Sequence, residues 1–232
     1  MITRTTSALA LSLAFVLAGC GNDISKTENV GIARTTFKGL AQLLPKFGKS
    51  DALPPPPIDQ EAVALSALEL NAGPVLLLGI EATGGVTAAG LVGENGTMRT
   101  YNTPQKQSII LREGLIAGTR GFGNDVMSAD VDAVSKLIHA RSAGTAKRTP
   151  RYLDGEGIER PLPLDCTVSL GEAKSYSFAG TDWETLQVAE RCTAPNVDIT
   201  NSYLVTDTGQ IALSRQWIAP GLGFVTLQTL RP

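Results

Sequence analysis

Val86-Thr87-Ala88-Ala89-Gly90-Leu91-Val92-Gly93-Glu94-Asn95-Gly96-Thr97-Met98-Arg99-Thr100-Tyr101-Asn102-Thr103 is the stretch on which the fold turns. Two strand-like runs flank Asn95-Gly96, a dipeptide suited to the positive backbone angles of a tight hairpin. Upstream, Val75 to Thr83 is almost wholly apolar and ends at the Gly84-Gly85 turn. Downstream, Ser108 to Arg112, Glu113-Gly114 and Leu115 to Thr119 repeat the arrangement. Consecutive hairpins of this kind make an antiparallel meander.

The C-terminal half carries the same pattern. Leu164 to Phe178 and Trp183 to Cys192 flank the turn Ala179-Gly180-Thr181-Asp182. Ser202 to Thr206 and Gln210 to Ile218 flank Asp207-Thr208-Gly209, and Pro220-Gly221-Leu222-Gly223 leads into a last strand, Phe224 to Leu230. Between the halves, Ser128 is a candidate helix cap, Asp130 and Asp132 suit a positive first turn, and Val131, Val134 and Ile138 form a stripe. That helix should end near His139 or Ala140. Residues 141–162 are polar, contain Pro150 and Pro161, and read as a long loop. Without βαβ alternation, the expectation is one mainly β domain, an antiparallel meander with one or two short helices.

The N-terminus reads as an export signal. Arg4 supplies a positive charge, and Ala8 to Ala18 is an apolar run too short for a hydrocarbon core of roughly 20 residues. Leu17-Ala18-Gly19-Cys20 has the form of a lipobox, which predicts cleavage after residue 19 and lipid modification of Cys20. Several acyl chains on one cysteine make a stable anchor. Gly21, in place of an aspartate, favours the outer membrane. Residues 20–58 then form a tether, with a short amphipathic helix from Thr35 to Phe47 and a stiff spacer at Pro54-Pro55-Pro56-Pro57. Residues 59–232 form the domain.

Composition narrows the chemistry. A formal net charge of −2 lacks the basic excess of a nucleic-acid binder. Of three cysteines, Cys20 is committed to lipid, leaving Cys166 and Cys192 for a disulfide in an oxidising compartment. Their midpoint falls in the 179–182 turn, so a hairpin there brings them to within a residue or two of register. Gly48-Lys49-Ser50 lacks the first glycine of a phosphate loop, and Gly118 to Gly123 has the wrong order for a dinucleotide fingerprint. His139 is the only histidine, without a Gly-x-Ser-x-Gly elbow to partner it. Asp154-Gly155-Glu156-Gly157 is not spaced as a calcium loop. No catalytic residue, cofactor or metal site is expected. Lys136, Arg141, Lys147, Arg148 and Arg151 make a locally basic stretch, in which Lys147, Arg148 and Arg151 are candidate contacts for an anionic ligand.

Two segments carry a resemblance: Leu111-Arg112-Glu113-Gly114-Leu115-Ile116-Ala117-Gly118-Thr119-Arg120-Gly121-Phe122-Gly123-Asn124-Asp125, and Ser214-Arg215-Gln216-Trp217-Ile218-Ala219-Pro220-Gly221-Leu222-Gly223. With the lipobox, they resemble the YjbF/GfcB family of exopolysaccharide and group 4 capsule lipoproteins. The resemblance implies a large sheet curled into an open half-barrel, and an outer-membrane lipoprotein of a polysaccharide-secretion operon. With the anchor and the lack of catalytic motifs, it points to a non-catalytic accessory, a scaffold or binding factor for exopolysaccharide export whose partners are the polymer or its export proteins. It supplies no catalytic residues. A second reading is a carrier of lipid or another apolar ligand in the concave face, with the apolar strand Val75 to Ile80 lining it. A third is a polysaccharide-processing enzyme, since a pair of carboxylates suffices for glycoside hydrolysis.

Overall fold

The computed structural model describes residues 58–232. The export signal, Cys20, the segment Thr35 to Phe47 and the four prolines lie outside them. Helix α1 (Gln60–Leu70) precedes the first meander, β1 (Val75–Ile80), β2 (Gly85–Asn95), β3 (Met98–Asn102), β4 (Ser108–Arg112) and β5 (Leu115–Arg120). Short β6 (Ser128–Asp130), α2 (Asp132–His139), β7 (Gly144–Leu153) and β8 (Glu159–Pro161) follow. The second meander is β9 (Leu164–Phe178), β10 (Thr181–Ala194), β11 (Val197–Val205), β12 (Ile211–Ala219) and β13 (Gly223–Arg231).

All the strands join one antiparallel sheet in the order β5-β4-β3-β2-β1-β13-β12-β11-β10-β9-β7-β6, with β8 paired to β7. The first and last strands pair with each other and unite the two meanders at the centre. The sheet is an open, curled half-barrel. Its curl is visible in one side chain: Gln216 on β12 bonds the backbone of β5, six places away along the sheet.

Strand β1 is buried on both faces, which explains its unbroken apolar run. Leu76 and Leu78 face inward, among Tyr101, Ile109, Ile116 and Leu227. Val75 and Leu77 face outward against Ala64 and Ala67 of α1. All four are at most 4% exposed, each contributing on the order of 2 kcal/mol by burial. Helix α2 packs inside, its Val134 and Ile138 against Leu115, Val188 and Tyr203. Gly209 (φ +84°) turns close under the end of α2, where a Cβ would lie 2.9 Å from the His139 carbonyl oxygen. Only glycine fits.

The β9–β10 hairpin is longer than its neighbours and has two regions. Near its base, Val168 and Val188 share the inner core with Tyr203 of β11. The register shifts between Leu186 and Val188, and beyond that bulge the hairpin leaves the inner face. Tyr176 hydrogen-bonds Gln228 on β13, and Phe178 and Ala179 at the tip pack with Leu77 and Ala64. The hairpin thus arches as a strap over the outer face of β11, β12, β13 and β1.

Several expectations needed correction. Residues 141–162 are not a long loop but contain β7 and β8. The alternation of β7 was hidden because its inward positions hold Arg148 and Pro150, while Lys147 faces solvent. Ser128 does not cap a helix: it begins β6, and α2 starts after Val131 without a side-chain cap. The sequence reading missed α1, where Asp59 accepts hydrogen bonds from the Glu61 and Ala62 backbone at 3.1 Å. Its buried positions are alanines, too small to mark an apolar stripe. Asn95 pairs with Met98, so the first turn is Gly96-Thr97, one residue later than the dipeptide suggested.

Cys166 stands opposite Cys192 in the β9–β10 ladder, and the two form a disulfide 26 residues apart in sequence. Closing such a loop contributes about 3 kcal/mol by restricting the unfolded chain. Replacing both cysteines with alanine should lower stability by about that amount, read as a lower urea midpoint at unchanged slope.

Candidate functional site

The inner seam between the sheet margins is built from charged and amide side chains. Arg148 on β7 and Glu190 on β10 form an ion pair at 3.0 Å, with side chains 5% and 0% exposed. The same Glu190 oxygen accepts from Asn201 Nδ2 at 2.8 Å and the Tyr203 hydroxyl at 2.7 Å. Arg148 Nη2 donates to the Ile116 carbonyl of β5 at 3.2 Å. Gln216 completes the margin: its Oε1 accepts from Ile116 N and its Nε2 donates to Gly114 O, both at 2.9 Å. These side chains satisfy edge-strand groups that a further strand would otherwise pair.

The segments Leu111 to Asp125 and Ser214 to Gly223 meet at this seam. Gln216 bonds Gly114 and Ile116, and Asn124 Nδ2 donates to Pro220 O at 3.0 Å. Asp125 folds the glycine-rich turn by accepting from Thr119 Oγ1, Gly121 N and Phe122 N at 2.8–3.1 Å. That turn carries the chain from β5 to β6, from one end of the sheet to the other.

Electrostatics follow from burial. Burial opposes the charge of Arg148, but Glu190 and then Tyr203 more than compensate and hold the guanidinium above its ordinary range. Burial, reinforced by the Glu190 carboxylate, pushes the Tyr203 hydroxyl well above 10. Burial likewise raises Tyr152, Tyr101 and Tyr176.

The predicted basic trio does not form a surface patch. Arg148 is buried against Glu190, because it occupies an inward position of β7. Lys147 and Arg151 are on the outside, each beside a carboxylate: Asp165 at 2.8 Å and Glu159 at 3.7 Å. Cys166, Glu190 and Cys192 lie close enough to suggest a metal site, but the sulfurs are joined and Glu190 is occupied by three donors. His139 ties α2 to two turns, with Nδ1 2.5 Å from Gly209 O and Nε2 2.7 Å from Glu113 O.

An open groove lies on the other face, beneath and beside the strap. Two adjoining depressions of about 450 and 270 Å³ share Leu213 and Thr226 as floor. Tyr176 and Phe178 form a wall, and Gly79 leaves the floor without a side chain over β1. Gln187, Ser202 and Leu204 line the β10–β11 end. Along the rim, Arg215 makes a two-point bond to Glu81 at 2.6 and 2.8 Å, and its guanidinium lies 3.5 Å from the Phe224 ring centroid. The sequence reading passed over this site, since its residues come from separate strands and no local motif unites them.

The seam and the antiparallel ladder define an open half-barrel class. The family described as "Group 4 capsule polysaccharide lipoprotein gfcB, YjbF" matches residues 41–230, and the chain belongs to it. Among solved structures, it is similar to the hypothetical lipoprotein YmcC from Escherichia coli (K12), at 17% identity and a TM-score of 0.64, covering 75% of this chain and 90% of that one. An exported protein with a YmcC-like fold from Bacteroides fragilis NCTC 9343 matches at 10% identity and a TM-score of 0.29, over 68% and 93% of the two chains. No curated protein matches the chain.

Removing one member of a buried pair leaves an uncompensated charge, so Glu190→Gln and Arg148→Met should each destabilise by about 3–5 kcal/mol. The double variant should lose clearly less than their sum, a coupling measurable by urea unfolding. All four tyrosines of the chain have raised native values. The unfolded chain releases those protons first, so stability is intact below pH 10 and falls as pH rises above it. Tyrosinate absorbance should therefore rise together with the loss of native Trp fluorescence in an alkaline titration.

Proposed function

We propose that this protein is a non-catalytic accessory factor in exopolysaccharide (capsule) production and export, anchored through a lipidated Cys20 to the periplasmic face of the outer membrane. It acts by binding the polymer or the proteins that export it. The observation that carries this reading is the capsule-lipoprotein family match over residues 41–230, joined to the Leu17-Ala18-Gly19-Cys20 lipobox. No described helix is long and apolar enough to cross a membrane, which accords with attachment through lipid.

The geometry favours binding over carriage of an apolar ligand in the concave face. Leu76 and Leu78, the inward residues of β1, are spent on the core. An inner cleft of about 370 Å³ has Glu94, Arg99, Glu113 and His139 at its rim and Leu76, Tyr101, Leu111 and Ile211 along its walls, so an acyl chain entering it would pass charged groups.

Deleting the gene should lower surface polysaccharide, and chromosomal Cys20→Ala should lower it while removing the protein from the outer-membrane fraction. Unchanged polysaccharide in both strains rejects the role. Failure of radiolabelled palmitate to mark the wild-type chain rejects the anchor.

A further inference from the structure

We propose that the groove under the β9–β10 strap binds an extended segment of polysaccharide, laid across β11, β12, β13 and β1 along its side rather than held by a chain end. This names the ligand and site within the accessory role and rests on that reading.

The shape argues for a linear ligand. The depressions join at Leu213 and Thr226 and cross four strands, a span of roughly 14 Å between the outermost strands at the usual spacing. The groove is open to water, so a polymer can enter sideways without being threaded by its end. Gly79 keeps the floor low where β1 passes beneath, and a Cβ there would lie 3.6 Å from the Thr226 Cβ. A larger side chain would rise into the groove without displacing backbone.

The lining argues for a sugar. The partly exposed rings of Tyr176 and Phe178 stand along one wall, and a pyranose presents an apolar C–H face that can lie against such rings. The Gln187 amide, with the Thr226 and Ser202 hydroxyls, offers both donors and acceptors to sugar hydroxyls, while Gln228 is engaged by Tyr176 and the Thr229 carbonyl. Charge is sparse: Arg215 is committed to Glu81, and Lys174 stands at one end. The ligand is therefore neutral or lightly charged, held by contact and hydrogen bonds more than by ion pairing.

The strap is fixed at both ends. Its base carries the Cys166–Cys192 disulfide, and its tip packs on Ala64 of α1 and Leu77 of β1. Tyr176 is oriented by its hydroxyl bond to Gln228 at 3.1 Å, so the aromatic wall is held in place before a ligand arrives.

The test uses the full lipoprotein in mild detergent. The probes are exopolysaccharide purified from the producing strain, fragments of it graded by length, and dextran as a comparison polymer. Calorimetry should show fragment affinity rising with length and then levelling once the groove is filled, with little change between low and high salt. Gly79→Leu and Leu213→Trp should each weaken binding at least tenfold while the thermal midpoint stays within a few degrees. Tyr176→Ala should weaken it as well.

Equal affinity in the two filled variants overturns the site. So does wild-type binding to no fragment, or a steep loss with salt, which would move the contact to exposed cations such as Lys147 and Arg151. Displacement of bound fragment by a lysolipid also overturns it, in favour of an apolar ligand. Should wild-type protein bind no fragment while gene deletion still lowers surface polysaccharide, the groove assignment falls and the accessory role stands.

Discussion

A guanidinium and a carboxylate, both nearly shut off from water, govern how far this sheet can open. Arg148 comes from the β7 margin, Glu190 from β10, and the pair reaches β5 through the Ile116 carbonyl. Neither charge tolerates separation at that depth, because each would then be buried alone. Gln216 adds two neutral bonds to the same edge. A barrel closed by strand pairing would need no such device. Here the margins are held by side chains, which fixes the curvature while leaving the ladder incomplete. The segments Leu111 to Asp125 and Ser214 to Gly223 meet at this place, so their glycines and amides answer a structural demand of the half-barrel.

The two faces of the sheet consequently do different work. Inside, α2, the core residues of β1 and the polar seam account for most of the surface. Outside, α1 and the strap cover only part of the sheet and leave a channel between them floored by small and medium side chains. A rigid inner face supports the outer one: Leu213 and Ser214 are neighbours on β12, one lining the groove and the other bonded to Gln216 at the seam. Alternation along a strand puts a binding surface and its scaffold one residue apart.

Much of the meander was legible, because turn chemistry is local. Glu113-Gly114 and Asp207-Thr208-Gly209 announce themselves, and the 179–182 turn placed the cysteine pair to within a residue or two, the bulge near Leu186 supplying the final register. What stayed hidden depended on contacts distant in sequence. Arg148 looked like a solvated loop residue, although its neighbours Ala146 and Pro150 share its face at a period of two. Glu190 sits between Val188 and Cys192 on a buried face, and a lone acid in that position is a signal that pattern reading can use. Tyr176 and Phe178 carry no such mark: their role depends on a bulge near Leu186 that turns the hairpin over the outer face. The alanines of α1 bury without displaying amphipathicity.

The pairing of β1 with β13 has a consequence for how the chain is made. Each meander is local and can form as its residues appear, but the ladder that joins them must wait for the last strand. The final nine residues of the ladder therefore lie in the middle of the architecture, not on its fringe. A chain clipped short of them would keep its hairpins and lose its unity, leaving β1 and β12 as two raw edges in addition to the open margins. Proofreading of completeness is thus written into the topology.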